Sequence, residues 1–497
     1  MRATPGVPVA RLLQGIPSQI RGNPNATVTS LTTDSRNAQP GALFFCLRGQ
    51  HSDGHDFARA AVEAGAVAVV ARRAIDLPSS ATLALVIDPL AALSPVAAEF
   101  FDQPSRQLSC VGVTGTNGKT TTAFLIEAIA RAAGLRYGLS GTLGAYLDGD
   151  LRHELINTTP FADEVQRWLA ECRDAGAQGA VMEVSSHALE LHRVDDVEFK
   201  VAVFTNLTQD HLDFHGDFES YRTAKRKLFL PNSAARTKEP ATAVLNLDDP
   251  EGQALAALLP RRMTFGINNA DALFNATDVI LRPRGSQFTV RSLRPAPFVL
   301  NLPGSFNVSN ALAALTAACA LDIEVEAMAQ GVDGVREVPG RMMPLQAGDA
   351  TVYIDYAHTP DGLERVLVAA RAAAQKRLLC VFGCGGDRDR SKRPLMGAIA
   401  AQFADYVIVT TDNPRHEDPD AIIREIVAGM QTGRAEHTVI RDRTSAIQEA
   451  IRSAGAGDVV VIAGKGHEAY QIVGDDRIPY SDVQVAQEAI RAIVSCR

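Results

Sequence analysis

Residues 112–122 read Gly-Val-Thr-Gly-Thr-Asn-Gly-Lys-Thr-Thr-Thr and follow directly on the apolar run that ends Ser109-Cys110-Val111. A strand-like run feeding a glycine-rich turn, with Ala123 and further apolar residues behind it, predicts a strand, a loop and the first turn of a helix. Such a loop aims backbone N–H groups and a helix N-terminus at phosphate oxygens. Gly115, Thr116, Asn117, Gly118, Lys119, Thr120, Thr121 and Thr122 are therefore the expected nucleotide-phosphate contacts. Lys119 would reach the terminal phosphates and Thr120 would hold a magnesium ion. The Walker A spacing calls for glycine five residues before Gly118, and Val113 stands there, so the loop is a variant of that motif. An ordinary glycine-rich turn would leave the Gly-Lys-Thr triplet at the head of a helix unexplained.

The strand–helix alternation extends outward on both sides of this loop. Toward the N-terminus, residues 42–47 and 66–70 read as strands, 57–64 as a helix and 102–105 as a linker. Beyond the loop, strands are expected at 107–113, 179–184, 201–205 and 242–246 with helices between them. Residues 290–302 read as antiparallel excursions, and 309–321 as an Ala-rich helix with Ser309 or Asn310 near its cap. Residues 352–356, 377–382, 406–410 and 458–463 are apolar, β-branched runs of the kind buried in parallel sheets. The expected fold class is α/β in three domains. An N-terminal α/β domain covers residues 1–105, and a central P-loop ATPase-like parallel sheet covers 106–338. A C-terminal Rossmann-like α/β domain covers 339–497, with the boundary between 339 and 351.

A length of 497 residues suits roughly three domains, and 46% hydrophobic with 21% charged residues is ordinary for a globular protein. A net charge of −8 disfavours nucleic acid as a partner. No apolar run reaches the ~18 residues of a membrane span, and the start lacks a signal-peptide core, so a cytoplasmic protein is expected. The seven cysteines show no framework spacing, which predicts reduced thiols. Cys380 and Cys384 lie at the end of an expected strand without a second Cys/His pair, which argues against a metal site there.

Several further motifs follow expected strands, at the sheet edge where open α/β folds bind ligands. Met182-Glu183-Val184-Ser185-Ser186-His187 puts Glu183 at a strand end, as a magnesium ligand or simply a surface carboxylate. Residues 205–215 gather Asp210, His211, Asp213 and His215 in one loop. Residue type allows zinc there, the phosphate loop favours magnesium, and a solvated acidic loop is the remaining alternative. Lys225 belongs to an expected helix, 218–230, capped by Asp217 and ended by Pro231. As one of the three basic residues Lys225-Arg226-Lys227 it reads as part of a solvated helix face. Asp412-Asn413-Pro414-Arg415, Gly383-Cys384-Gly385-Gly386-Asp387-Arg388 and Gly464-Lys465-Gly466-His467-Glu468 each follow a strand. Singly each is as well read as an ordinary turn. Together they predict a small-molecule pocket with both charges, in which an arginine grips a carboxylate.

Four stretches in this order closely resemble the Mur ligases of peptidoglycan synthesis: Gly115–Thr121, Glu183-Val184-Ser185-Ser186-His187, Asp210-His211-Leu212-Asp213 and, at the end of the strand expected at 352–356, Asp355-Tyr356-Ala357-His358-Thr359-Pro360. The resemblance covers nearly the whole chain. It is nearest to the branch that adds the third amino acid to UDP-N-acetylmuramoyl-L-alanyl-D-glutamate. The resemblance implies that the N-terminal domain binds UDP, with Thr33-Asp34-Ser35-Arg36 and Gln50-His51-Ser52 as UDP-sugar contacts. It implies that Asn157, Thr158, Thr159, Ser185 and Arg193 meet the muramoyl dipeptide, and that Asn307, Asn310, Arg341, Asp355 and His358 line the nucleotide. Lys225 would be carbamylated by carbon dioxide, which replaces the solvated-face reading, and would hold magnesium with Thr120, Glu183 and His211. Carbamylation needs a neutral amine, which a desolvated lysine supplies.

Asp412-Asn413-Pro414-Arg415 is similar to the form found in users of meso-diaminopimelate, with Arg388, Gly464 and Glu468 as further contacts. That substrate is lysine with an extra carboxylate at its far end. Arg415 would pair with the carboxylate and be left unpaired by lysine, a difference that can discriminate by roughly 10⁴-fold. Two positions depart from the family pattern: Met343 stands where glutamate is usual, and Leu191 where some relatives carry glutamine. The resemblance thus implies an ATP-dependent amide ligase, with ATP phosphorylating the γ-carboxylate of D-glutamate and Lys119, Glu183, His211 and Lys225 as its catalytic group; separately, a monomer is expected. The base that frees the attacking amine is not identified by it. The rival readings are a lysine-adding ligase of the same family, a folylpolyglutamate synthase and a nucleotide-binding regulator without ligase activity.

Overall fold

The computed structural model describes residues 6–49, 52–230, 240–293 and 297–495. The chain forms two compact units. The first runs to Thr114 and resumes over Gly134–Val203 and Thr223–Ala243; the second holds Gly115–Ala133, Phe204–Arg222 and the chain from Val244 onward.

In the first unit, five strands lie in the order Ser18–Arg21, Thr82–Val86, Ala68–Ala71, Ala42–Phe45 and Ser30–Thr32. The first pair is antiparallel and the others are parallel. Successive side chains of a strand point to opposite faces, so Phe45 and Val70 join one core cluster while Phe44 and Val69 join another. Burial on both faces is why Ala-Leu-Phe-Phe is apolar without a break. The unit's larger sheet runs Asp150–His153, Gly144–Leu147, Tyr137–Gly141, Gly179–Glu183, Ser109–Thr114 and Phe199–Phe204. Its central pairings are parallel. The antiparallel hairpins over 137–153 replace part of the helical connection expected there. The local signal was Asp148-Gly149 between alternating residues, a turn dipeptide outweighed by the helical reading of its surroundings.

In the second unit, Thr242–Asn246, Arg262–Gly266, Phe274–Arg282, Gly285–Val290 and Phe298–Leu300 follow one another. The last three are antiparallel, so the excursion begins at Phe274 and not at 290. Phe274–Arg282 carries polar residues on its exposed side and gave no continuous apolar run to read. The Ala-rich helix is Ser305–Ala320 and starts earlier than expected. Its N-cap is Gly304, so Ser309 and Asn310, expected near the cap, lie inside it together with Asn307. Asn307 Nδ2 donates to Pro303 O at 2.8 Å and Asn310 Nδ2 to Asn307 Oδ1 at 3.0 Å, so their amides bond within the helix.

The second unit also holds a six-stranded sheet ordered Met343–Ala347, Ala350–Asp355, Val459–Ala463, Leu378–Phe382, Tyr406–Val409 and Glu436–Val439. Only the first pair is antiparallel. Leu378, Cys380 and Phe382 pack on one face, Leu379 and Val381 on the other. The loops after four parallel strands therefore leave one edge side by side. Cys384 is buried with its Sγ 3.7 Å from Met396 Sδ. Among the described residues, no helix is long and apolar enough to cross a membrane.

Candidate active site

The strand Ser109–Thr114 runs into the glycine-rich loop, which ends at the helix Lys119–Ala132. Val113 is a fully buried strand residue paired with Glu183, so the missing Walker glycine falls before the turn, where a side chain packs in the core. Gly118 is the helix N-cap at φ 88°, and a Cβ there would come within 2.2 Å of Asn310 Oδ1. Only glycine satisfies both conditions. Lys119 Nζ folds back to donate to Gly115 O at 2.8 Å and Thr116 O at 2.9 Å.

The loop is braced by the start of the segment that reads as acidic in sequence. Thr116 N donates to Asn206 O and Asn117 N to Asn206 Oδ1, while Thr205 Oγ1 and Asn206 Nδ2 donate back to Asn117 O. Thr205 to Thr208 thus set the loop's shape, while His211 and the acidic residues follow beyond it. His211 sits at φ 54°, with its Nε2 3.3 Å from the Asp210 carboxylate. Burial pushes the Asp210 carboxyl up, but the charges of His211 and Lys392 and the bond from His211 N outweigh it and hold the group below its ordinary range.

The expected nucleotide-lining residues gather around this loop. Arg341 lays its guanidinium over the Tyr356 ring, 4.7 Å from the centroid, and donates through Nη2 to Thr120 Oγ1 at 3.0 Å. Asp355 is buried, which raises its carboxyl; it accepts from Met342 N and Ala357 N, both at 2.7 Å. Burial lowers His358 and keeps its imidazole neutral; the bond to Tyr356 O at 2.8 Å places the proton on Nδ1. Two residues missed in the sequence join them: Tyr356, and Asp361, which accepts from Asn117 Nδ2 at 2.7 Å. Met343 opens an edge strand opposite Ile354.

In the first unit, Glu183 is buried at the end of its strand and accepts from Thr142 N at 2.8 Å. Around it stand Thr159, whose Oγ1 donates to Glu183 O at 2.9 Å, and Ser185, whose N donates to Thr159 Oγ1 at 3.1 Å. Arg193 reaches Thr159 O at 2.6 Å while stacking on Phe161. Thr158 Oγ1 is 3.1 Å from Thr142 Oγ1. Four of the five expected dipeptide residues therefore share one patch; Asn157 is exposed. Lys225 is buried, which corrects the solvated-face reading; Lys227 in the same basic run pairs with Glu190 at 2.6 Å. Its helix is Phe218–Arg226, with Ser220 N bonded to Asp217 Oδ1, and Pro231 lies outside the described residues. Thr33 and Ser35 flank Asp34, whose carboxylate caps a short turn; Ser52 is exposed, and Gln50 and His51 lie outside the described residues.

The three loops on the edge of the six-stranded sheet do converge. Arg415 has a left-handed backbone, φ 51°, and its Nη1 donates to Gly386 O at 2.8 Å. Burial and then the neighbouring Arg388 push its pKa down, the mark of two cations sharing a site that favours an anion. Gly386 N donates to Asn413 O at 2.9 Å, which joins the loop ahead of Arg388 to Asp412-Asn413-Pro414-Arg415. A Cβ at Gly464 would meet Asp412 Oδ2 at 2.7 Å, and Asn413 Nδ2 donates to Glu468 Oε2 at 3.0 Å. Sequence reasoning missed Arg393. It is fully buried, pairs through both terminal nitrogens with Glu417 at 2.8 and 2.9 Å, and reaches Gly385 O. Its only sequence signal was an arginine between the strands expected at 377–382 and 406–410.

Three family models match the chain: Mur ligase family, catalytic domain over residues 27–99; Mur ligase middle domain over 113–318; and Mur ligase, glutamate ligase domain over 340–466. A UDP-N-acetylmuramoyl-L-alanyl-D-glutamate--2,6-diaminopimelate ligase of Syntrophomonas wolfei subsp. wolfei is 44% identical over 492 residues, 98% of this chain and 99% of its own. A solved structure of a ligase with that same name matches at 33% identity with a TM-score of 0.68, over 98% of this chain and 99% of its own. A folylpolyglutamate synthase of Mycobacterium tuberculosis, complexed with ADP and AMPPCP, shares the fold at 20% identity and a TM-score of 0.60, over 76% of this chain and 92% of its own.

Proposed function

The chain belongs to the Mur ligase family, and from that premise we propose that it joins meso-diaminopimelate to the D-glutamate γ-carboxylate of UDP-N-acetylmuramoyl-L-alanyl-D-glutamate in peptidoglycan synthesis, at the expense of ATP. The observation that carries the choice of amino acid is Arg415, held with Arg388 beside Asp412, Asn413 and Glu468. The two arginines suit a carboxylate and the acidic side chains suit an ammonium group, the pair found at the far end of meso-diaminopimelate. The relative from Syntrophomonas wolfei carries 2,6-diaminopimelate in its name. The expected domains 1–105, 106–338 and 339–497 belong to the proposal, and each family model falls inside one of them.

ATP phosphorylates the glutamate γ-carboxylate, the amine attacks the acyl phosphate, and phosphate leaves as the amide forms. Lys119 and the N–H groups of Gly115 to Thr122 are assigned to the phosphates, where they offset the charge of the moving phosphoryl group. Asn307, Asn310, Arg341, Asp355 and His358 are assigned to the nucleotide, Thr33, Ser35 and Ser52 to UDP, and Asn157, Thr158, Thr159, Ser185 and Arg193 to the dipeptide. The Thr120 hydroxyl and the buried Glu183 carboxylate are hard oxygen donors that fit magnesium, and His211 could add a nitrogen. Lys225, buried in its helix, becomes a further carboxylate when carbamylated, a modification that takes a neutral amine. Magnesium, when bound, screens phosphate charge.

An amino-acid panel with phosphate detection tests the proposal. Phosphate should appear only with ATP, the UDP-muramoyl dipeptide and meso-diaminopimelate together. Equal turnover with L-lysine would sink the assignment of the amino acid.

A further inference from the structure

Lys465 is fully buried at the end of the strand Val459–Ala463. An ammonium has three donors, and here each has an acceptor: Asn413 Oδ1 at 2.8 Å, Glu468 Oε2 at 3.1 Å and Tyr470 O at 2.8 Å. Two of the three acceptors are side chains of the amino-acid pocket. Asn413 Oδ1 also receives Ile472 N at 3.0 Å, so its oxygen is held by two donors and the amide has one orientation. Its Nδ2 must then face the other way, where one hydrogen goes to Glu468 Oε2 at 3.0 Å. Glu468 Oε2 is filled twice, and among the described residues its Oε1 accepts no bond.

Burying an ammonium costs stability, and an apolar side chain of similar volume is often no worse for a fold. A lysine with this burial and these partners is better explained by what it orients. We propose that Lys465 is a positioning residue that sets the polarity of the amino-acid pocket. It fixes Asn413 as a donor toward a carboxylate and leaves Glu468 Oε1 to accept from an ammonium group. The ligand class selected is an amino acid with a second amino–carboxylate centre. The assignment rests on the diaminopimelate reading above.

Steady-state kinetics of Lys465→Met, with each substrate varied in turn, test it. The KM for meso-diaminopimelate should rise ~10-fold or more, because charge-assisted bonds are lost, while the KM for ATP and for the UDP-muramoyl dipeptide stays within about 2-fold. Because part of the Lys465 effect runs through Glu468, Lys465→Met and Glu468→Gln together should cost less than the product of the two single effects. An unchanged KM for meso-diaminopimelate, multiplicative effects in the double variant, or a parallel rise in all three KM values would overturn the assignment. If Lys465→Met does not fold, Lys465→Gln, which keeps two of the donors without the charge, takes its place: the same selective rise in the KM for meso-diaminopimelate is expected, and an unchanged KM would overturn the assignment. If the wild-type protein proves to use L-lysine, the functional reading fails, and the same kinetics with L-lysine still decide the role of Lys465.

Discussion

Arg415 holds a left-handed backbone that costs an ordinary residue about 1–2 kcal/mol, and it keeps its guanidinium partly desolvated next to Arg388. Its backbone is fixed from both sides, Arg415 N donating to Ile472 O and Gly474 N to Arg415 O. The strain is therefore imposed by the surrounding loops. Arg415→Ala should lower kcat/KM for meso-diaminopimelate by about 10²-fold or more and leave the KM for ATP nearly unchanged. An unaltered KM for meso-diaminopimelate would count against the pocket. Lys225→Ala should be inactive and regain part of its activity with added small carboxylic acids, which replace the carbamate. Full activity without rescue would refute the carbamate role. At this scale the sequence located the element ends that carry Lys119, Glu183 and Arg415. It was misleading for Lys225, because three adjacent basic residues look solvated until the helix shows which of them turns inward.

Among the elements, the helix Ala162–Asp174 contains a carboxylate with a measurable cost. Asp163 lies buried in the first turn, its Oδ1 without a hydrogen-bond partner among the described residues, and burial raises its pKa to about 6. The folded chain holds this proton up to about pH 6, whereas the unfolded chain releases it near 3.8. Stability is therefore lost as pH rises from about 4 to about 6, and the loss is complete above that range. The shift is worth about 3 kcal/mol. Asp163→Asn should raise the urea midpoint at pH 7.5 and leave it nearly unchanged at pH 4; an equal effect at both would refute the linkage. Parallel strands such as Leu378–Phe382 and Val459–Ala463 were legible because burial on both faces leaves an uninterrupted apolar run. The hairpins over 137–153 and the strand Phe274–Arg282 were not, because half-exposed antiparallel strands mix polar and apolar residues.

For the whole molecule, a ligand that binds only the folded chain raises its thermal midpoint by mass action. ATP with magnesium at 100 times its dissociation constant should raise Tm by roughly 2–5 °C. Gly118→Ala should abolish the shift, because a Cβ meets Asn310 and disfavours the left-handed turn, whereas Arg415→Ala should preserve it. Loss of the shift in both variants would mean that the two sites are not separable. The sequence by itself determined the α/β class, the phosphate loop and the order of the strand-end motifs, because strand burial and turn chemistry are local and leave local patterns. The tertiary structure decided that Thr205 to Thr208 brace the glycine-rich loop, that Lys225 is buried, and that Lys465 and Arg393 are buried against the strand-end loops. Those facts join residues far apart in the chain, and a buried charge is recognised by its partners, which no stretch of sequence contains.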